Sequence, residues 1–237
     1  MSSELKATID ETLEILAGTD PEYGATASDN HGPIAAEALF ALNRPETAVP
    51  WVESYKTRLG APMLARFPIS TGNWREAPGD PDGATHWLAF FDQKLAETAW
   101  QDVIANWAPV LASELMSVAT HGMIRTGHAV RSIAQSQTAF RIHELAEGLA
   151  CWASRYLTLP GKASKREEIC NPFTALDHVQ RIHDSDSDSS GSIFQQIRGL
   201  DDHPDLSGAI GLVDTGGNLS AFIPSITVTF AGVYLAN

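Results

Sequence analysis

Residues 121–158 read HGMIRTGHAVRSIAQSQTAFRIHELAEGLACWASRYLT, and their spacing decides the fold. Leu145, Leu149, Trp152 and Tyr156 recur at three- or four-residue intervals, which puts them on one face of a helix. The spacing predicts helices over 121–135 and 139–158. The same period runs upstream. Leu5, Ile9, Leu13 and Leu16 mark an amphipathic first helix. Pro33 stands where a first helical turn begins, and the strong helix formers of IAAEALFAL follow it. A third helix is predicted over Glu46–Leu59, with Trp51, Tyr55 and Leu59 on one stripe, and others over 85–98 and 100–118. Residues 60–83 contain four prolines and four glycines and predict a loop. Short alternating runs bounded by Asn-Gly or Asp-Gly turns are absent, which argues against an all-β domain. The expected fold is mainly α, a multi-helix orthogonal or bundle-like domain whose core lies in residues 1–160.

Beyond Pro160 the texture changes, and 161–237 reads as a less regular C-terminal portion of the same domain. DSDSDSSGS (184–192) places Asp184, Asp186 and Asp188 at the first three ligand positions of a calcium loop. It lacks Gly at the sixth position and has Gln195 where a bidentate Glu belongs, so it reads as a solvated loop. The final stretch, SITVTFAGVYLAN (225–237), stays apolar to its end. It carries the expectation of a partner or of a missing continuation.

Composition narrows the function. The chain has 237 residues, with 29 acidic against 16 basic side chains and a formal net charge of -13. That excess repels polyphosphate and no basic run offsets it, so nucleic acid is not an expected partner. Cys151 and Cys170 make no disulfide framework and no paired metal knuckle. The start, MSSELKATIDETLEILAG, has no secretory pattern, and no apolar run reaches the roughly 18 residues of a membrane span. A soluble cytoplasmic protein is expected. Neither GxGxxG nor GxxxxGK[ST] occurs, so no flavin, nicotinamide or P-loop nucleotide site is indicated. GxSxG and HExxH are also absent.

What remains is histidine, eight residues in all. His31, in NHGP, stands before a helix opened by Pro33. An imidazole fixed at such a corner suits a ligand or a base, and equally suits a turn, with Asn30 as a cap. His121 and His128 share a helical face but lie about 10.5 Å apart along the axis at roughly 1.5 Å per residue. Spacing leaves a metal pair and two core histidines equally open. Arg125 and Arg131 flank them, placed to meet an anionic or enolate substrate. His143 and Glu147, at i,i+4, read as a surface pair, with metal ligation as the alternative. His183-Asp184 imitates the dyad of metal-dependent phosphohydrolases. His86 and His203 read as structural.

Five blocks, in order, carry a resemblance: DNHGPIAAEALFALNRPE (29–46), WVESYKTRL (51–59), FFDQKLAETAWQDVIANWAPVL (90–111), HGMIRTGHAVRSI (121–133) and ELAEGLACWASRYLTLP (144–160). Together they resemble the questin oxidase-like family, from about Asp10 to Pro160 and more loosely to Asn237. The resemblance implies oxidation of anthraquinone-like polycyclic aromatics. The reaction would be a Baeyer–Villiger-type ring opening, or a ring cleavage at non-haem iron held by four histidines and a carboxylated lysine, without flavin. By match of position His31, His121 and His128 would be three of the ligands to Fe(II). Arg125 would stabilise the substrate anion, and NADPH would enter, if at all, as an external reductant. Trp51, Trp87, Trp100, Trp107 and Trp152 would wall an aromatic pocket or fill the core. Family members are longer, and none of Lys6, Lys56, Lys94, Lys162 and Lys165 falls in a matching block. The expectation is therefore a C-terminally shortened member, completed by further chain, by a second polypeptide or by a homo-oligomer. The alternative is a catalytically incomplete helical accessory or binding subunit that pairs with another chain.

Overall fold

The computed structural model describes residues 3–20, 22–23, 28–61, 69–70, 74, 83–112, 120–154, 171–178, 212 and 217–236. The chain divides into two compact units, Met1–Thr158 and Leu159–Asn237. The fold is mainly α. The first unit contains α1 (Ser3–Leu16), α2 (Gly32–Ala41), α3 (Pro45–Lys56), α4 (Ala84–Glu97), α5 (Trp100–Leu111), α6 (His121–Gln135) and α7 (Ala139–Ser154). Within the polar loop after α1, Glu22–Tyr23 pairs antiparallel with Ser28–Asp29. In the second unit, α8 spans Pro172–Asp177 and α9 spans Leu219–Ala236.

The core of the first unit follows from the apolar periods. Leu145 and Leu149 on α7 are completely buried, with Trp87, Phe90 and Phe91 from α4 and Val103 and Leu111 from α5 in the same cluster. Each such side chain contributes about 1.5–3 kcal/mol by leaving water. Trp107 stands edge-on to Trp87, Phe90 and Phe91, at 5.1–6.0 Å between ring centres. Trp87, Trp107 and Trp152 thus pack with the core, while Trp51 stacks on Tyr55 at the surface. A smaller cluster joins Leu16, Ala36 and Val52 from the first three helices.

α6 and α7 form an antiparallel hairpin in very close contact. A Cβ on Gly122 would lie 2.4 Å from Trp152 Cα, and one on Gly148 would lie 2.9 Å from the Thr126 nitrogen. Only glycine permits this approach. At the far end of the hairpin the buried Arg141 donates to the Ser132 carbonyl at 3.0 Å and to Asp10 Oδ1 at 2.7 Å, tying both helices to α1.

In the second unit, Asn218 Oδ1 accepts from the Ala221 N–H at 3.2 Å and so caps α9, which carries Pro224 inside it. Ala175 and Leu212 are buried. His178 is exposed just after α8. The Asp184–Asp188 run, the His183-Asp184 pair, His203, Cys170, Lys162 and Lys165 lie outside the described residues. Among the described residues, no helix is long and apolar enough to cross a membrane.

Candidate metal-binding face

His31 and His121 meet. Their ring centres are 4.6 Å apart at an interplanar angle of 86°. The chain brings them together by aligning two helix starts. His31 is the residue before α2, and Asn30 fixes it from behind. The Asn30 Oδ1 accepts from the Gly32 N–H at 2.9 Å, and its amide donates to the Asp20 carbonyl at 3.2 Å. The His31 N–H donates to the Tyr55 hydroxyl at 2.9 Å, which sets the corner against α3. His121 is the first residue of α6. Thr120 before it has φ 73°, the left-handed region that a β-branched side chain rarely adopts. Strain of this kind gathers where surrounding structure dictates an unusual chain direction. Here it sets the heading of His121.

His128 lies nearly two turns further along α6, and its partner is Glu37, one and a half turns into α2. The His128 Nδ1 is 2.6 Å from Glu37 Oε2. Arg131 completes the group, its Nε donating to Glu37 Oε1 at 2.7 Å and its Nη2 bonding Glu37 Oε2. With His31 beside His121 and Glu37 beside His128, α2 and α6 run side by side in the same direction. Glu37 is 5% exposed. Burial pushes its carboxyl up, but the hydrogen bonds from His128 and Arg131, with their charges, hold it below the usual range.

Arg125 is 3% exposed and points between α6 and α7. Its Nε and Nη2 donate to the two oxygens of Glu144 at 2.7 and 2.9 Å, and Nη2 also lies 3.1 Å from Glu147. Burial works against the charged guanidinium, but the two carboxylates outweigh it and hold the pKa well above its ordinary value. Nη1 has no hydrogen-bond partner among the described residues. A water-sized void beside Arg125 has Asn30, His143 and Glu147 in its wall. His143 is half-buried, with Nδ1 2.9 Å from Asp92 Oδ1 and Nε2 3.6 Å from Glu147 Oε1. The hydrogen bond to Asp92 raises the His143 pKa against the effect of burial. Burial raises that of Glu147, which Arg125 only partly offsets. His86 is buried on α4.

Of the residues singled out in the sequence, the structure joins His31 with His121, sets His128 on the Glu37 seam of the same two helices, and gives Arg125 buried partners. Glu37 was not singled out. Its signal was present, since it is the one charged residue in GPIAAEALFA (32–41), an otherwise apolar helix. The donor set suits iron(II), for which imidazole nitrogen is a common ligand. Two imidazoles at right angles on one ion, with metal–nitrogen bonds of about 2.1 Å, would have ring centres roughly 4.5 Å apart. The observed pair meets that spacing, which also falls among ordinary edge-to-face ring contacts. Among the described residues, no three His, Cys, Asp or Glu side chains form one metal-ligating group. Comparison with protein-family models, with curated proteins and with solved structures finds no match.

Proposed function

We propose that the chain is an oxygen-dependent oxidoreductase that holds iron(II) through His31, His121 and His128 and oxidises an anthraquinone-like aromatic, by Baeyer–Villiger-type or ring-cleaving chemistry. The observation that carries this reading is the contact between His31 and His121, 90 positions apart in the chain and each held at the start of its helix. The ordered blocks that resemble the questin oxidase-like family support it separately. Bound iron would supply the electron-transfer chemistry that dioxygen requires. The chain's own residues supply the rest. His31 and His121 hold the ion from two rigid helix starts. Glu37 steadies His128. Arg125, its charge already matched by Glu144 and Glu147, fixes α6 against α7 and so keeps both α6 histidines on line. With no nucleotide fingerprint in the sequence, any NADPH acts as a diffusible reductant.

The test is metal analysis of tag-free protein reconstituted anaerobically with iron(II), beside the His31→Ala/His121→Ala double variant. About one iron per chain in the parent and none in the variant is expected. A parent that binds no iron overturns the reading.

A second reading is favoured by one observation. On α9 the apolar side chains of Ile223 and Val228 are 55% and 73% exposed. In that reading the chain is a helical accessory or binding subunit, a homo-oligomer or the partner of a second chain. Sedimentation analysis of the parent beside Ile223→Asp/Val228→Asp tests the homo-oligomer, and a stable monomer that turns over an anthraquinone refutes the whole reading.

A further inference from the structure

We propose that Glu37 is a positioning residue that fixes the His128 ring with its hydrogen on Nδ1 and presents Nε2 as the free donor nitrogen. The proposal deepens the reading of His128 as an iron ligand and rests on it for its consequence. Its geometry stands alone.

Three side chains meet on the α2–α6 seam. Glu37 Oε2 lies 2.6 Å from His128 Nδ1, and Arg131 grips both oxygens of the same carboxylate. An ionised carboxylate only accepts hydrogen bonds, so a contact this short requires the hydrogen to sit on Nδ1. Arg131 Nη2 also comes within 3.2 Å of His128 Nδ1. Guanidinium nitrogens only donate, and with Nδ1 protonated that contact is two donors side by side, both aimed at Glu37. The opposite tautomer would let Arg131 donate to Nδ1 but would set a bare nitrogen against a carboxylate at 2.6 Å. The charged, acceptor-only oxygen decides between them. The neutral ring then carries its lone pair on Nε2.

Arg131 alone would neutralise Glu37, so a simple strap between helices has no need of His128. A carboxylate on one ring nitrogen with the other left as donor is how metal-ligating histidines are commonly oriented, and losing that carboxylate typically weakens metal binding 10–100-fold. The arrangement also explains why a carboxylate is buried in an otherwise apolar helix. It needs a position from which one oxygen reaches α6 at His128 and the other reaches Arg131 one turn on.

The test reads the ring nitrogens of metal-free parent, Glu37→Gln and Arg131→Met proteins by ¹⁵N-detected imidazole NMR at alkaline pH, where a ring carries one hydrogen. The parent is expected to show His128 with a protonated Nδ1 and a bare Nε2. Arg131→Met is expected to keep that pattern. Glu37→Gln, whose amide can donate to Nδ1, is expected to shift the ring toward hydrogen on Nε2 and to weaken iron(II) binding 10–100-fold by calorimetry. Hydrogen on Nε2 in the parent overturns the proposal, as does a ring unaffected by Glu37→Gln. The parent spectrum decides alone where a variant fails to fold. A parent with the expected tautomer that binds no iron sinks the iron reading and leaves the orientation standing. Iron bound with hydrogen on Nε2 of the metal-free ring does the reverse.

Discussion

Gly122 and Gly127 lie in the same helix, and the same substitution should act on them in opposite directions. An alanine Cβ at position 122 would stand 2.4 Å from Trp152 Cα, 2.7 Å from its nitrogen and 2.8 Å from its Cβ, while one at position 127 would meet nothing within 4 Å. Ordinary contact begins near 3.4 Å. The obstacle at Gly122 is helix backbone, so α6 and α7 must part by about an ångström over their whole crossing. Overpacking of this kind costs about 1–3 kcal/mol, and unyielding backbone puts Gly122→Ala at the upper end. Alanine returns about 1 kcal/mol through helix propensity at either site. Gly122→Ala is therefore expected to lose about 2 kcal/mol, and Gly127→Ala to gain about 0.5–1 kcal/mol. Urea unfolding followed by tryptophan fluorescence, which reports on Trp87, Trp107 and Trp152 beside this contact, measures both. Heating should separate the variants as well, at about 2–4 °C per kcal/mol for a chain of this size. Equal stabilisation by both alanines would refute the close crossing of α6 and α7.

Arg125→Met leaves Glu144 and Glu147 facing one another in the interior. It is expected to cost about 3–5 kcal/mol in the same urea assay, and a loss under 1 kcal/mol would contradict the buried pairing. Thr120→Gly removes a left-handed strain of about 1–2 kcal/mol against a glycine entropy cost of about 0.5–1, so a small gain in stability is expected, and a clear loss contradicts the backbone described at Thr120. The Glu37 carboxyl has a folded pKa below its ordinary 4.5, so the stability it contributes is complete above about pH 4.5 and is lost as pH falls through the lowered value. Acid unfolding curves should show that limb in the parent and lack it in Glu37→Gln. His143 titrates in the other sense. Its folded pKa is raised above the ordinary 6.5, so its contribution is complete below about pH 6.5 and disappears as pH rises through the raised value. NMR titration should place its midpoint above 6.5, and Asp92→Asn should bring it down.

The helices were legible where packing and period agree. Leu145 and Leu149 announced α7, and Pro33 announced the start of α2, because a helix that buries one face leaves a 3.6-residue signature in one dimension. α9 was not legible as a helix. Its Ile226-Thr227-Val228-Thr229 run favours a strand by propensity, yet it lies within Leu219–Ala236, and Thr227 satisfies its hydroxyl on the Ile223 carbonyl at 2.8 Å. The site was half legible. Histidine at two helix starts could be read from NHGP and HGMIR, but which helix starts meet is decided by tertiary packing that no local spacing encodes. Gly122 shows the same limit. In sequence it is a glycine inside a helical run, and nothing local says what it faces. In the fold α6 stays helical across it, and the missing Cβ admits the backbone of Trp152.

Three arginines of the first unit bridge helix seams. Arg141 reaches Asp10 and the Ser132 carbonyl, Arg125 reaches Glu144 and Glu147, and Arg131 with His128 reaches Glu37. Each joins two elements through a bond with a fixed direction, which apolar contact alone does not supply. Apolar burial has no preferred direction, and the glycine crossing at Gly122 and Gly148 fixes α6 only against α7. A bidentate Arg125 on one side and the Glu37 group on the other leave it one register. That register is the one in which His121 faces His31. The ion pairs therefore matter less for the stability they add, which desolvation largely offsets, than for keeping the His31 and His121 rings in contact.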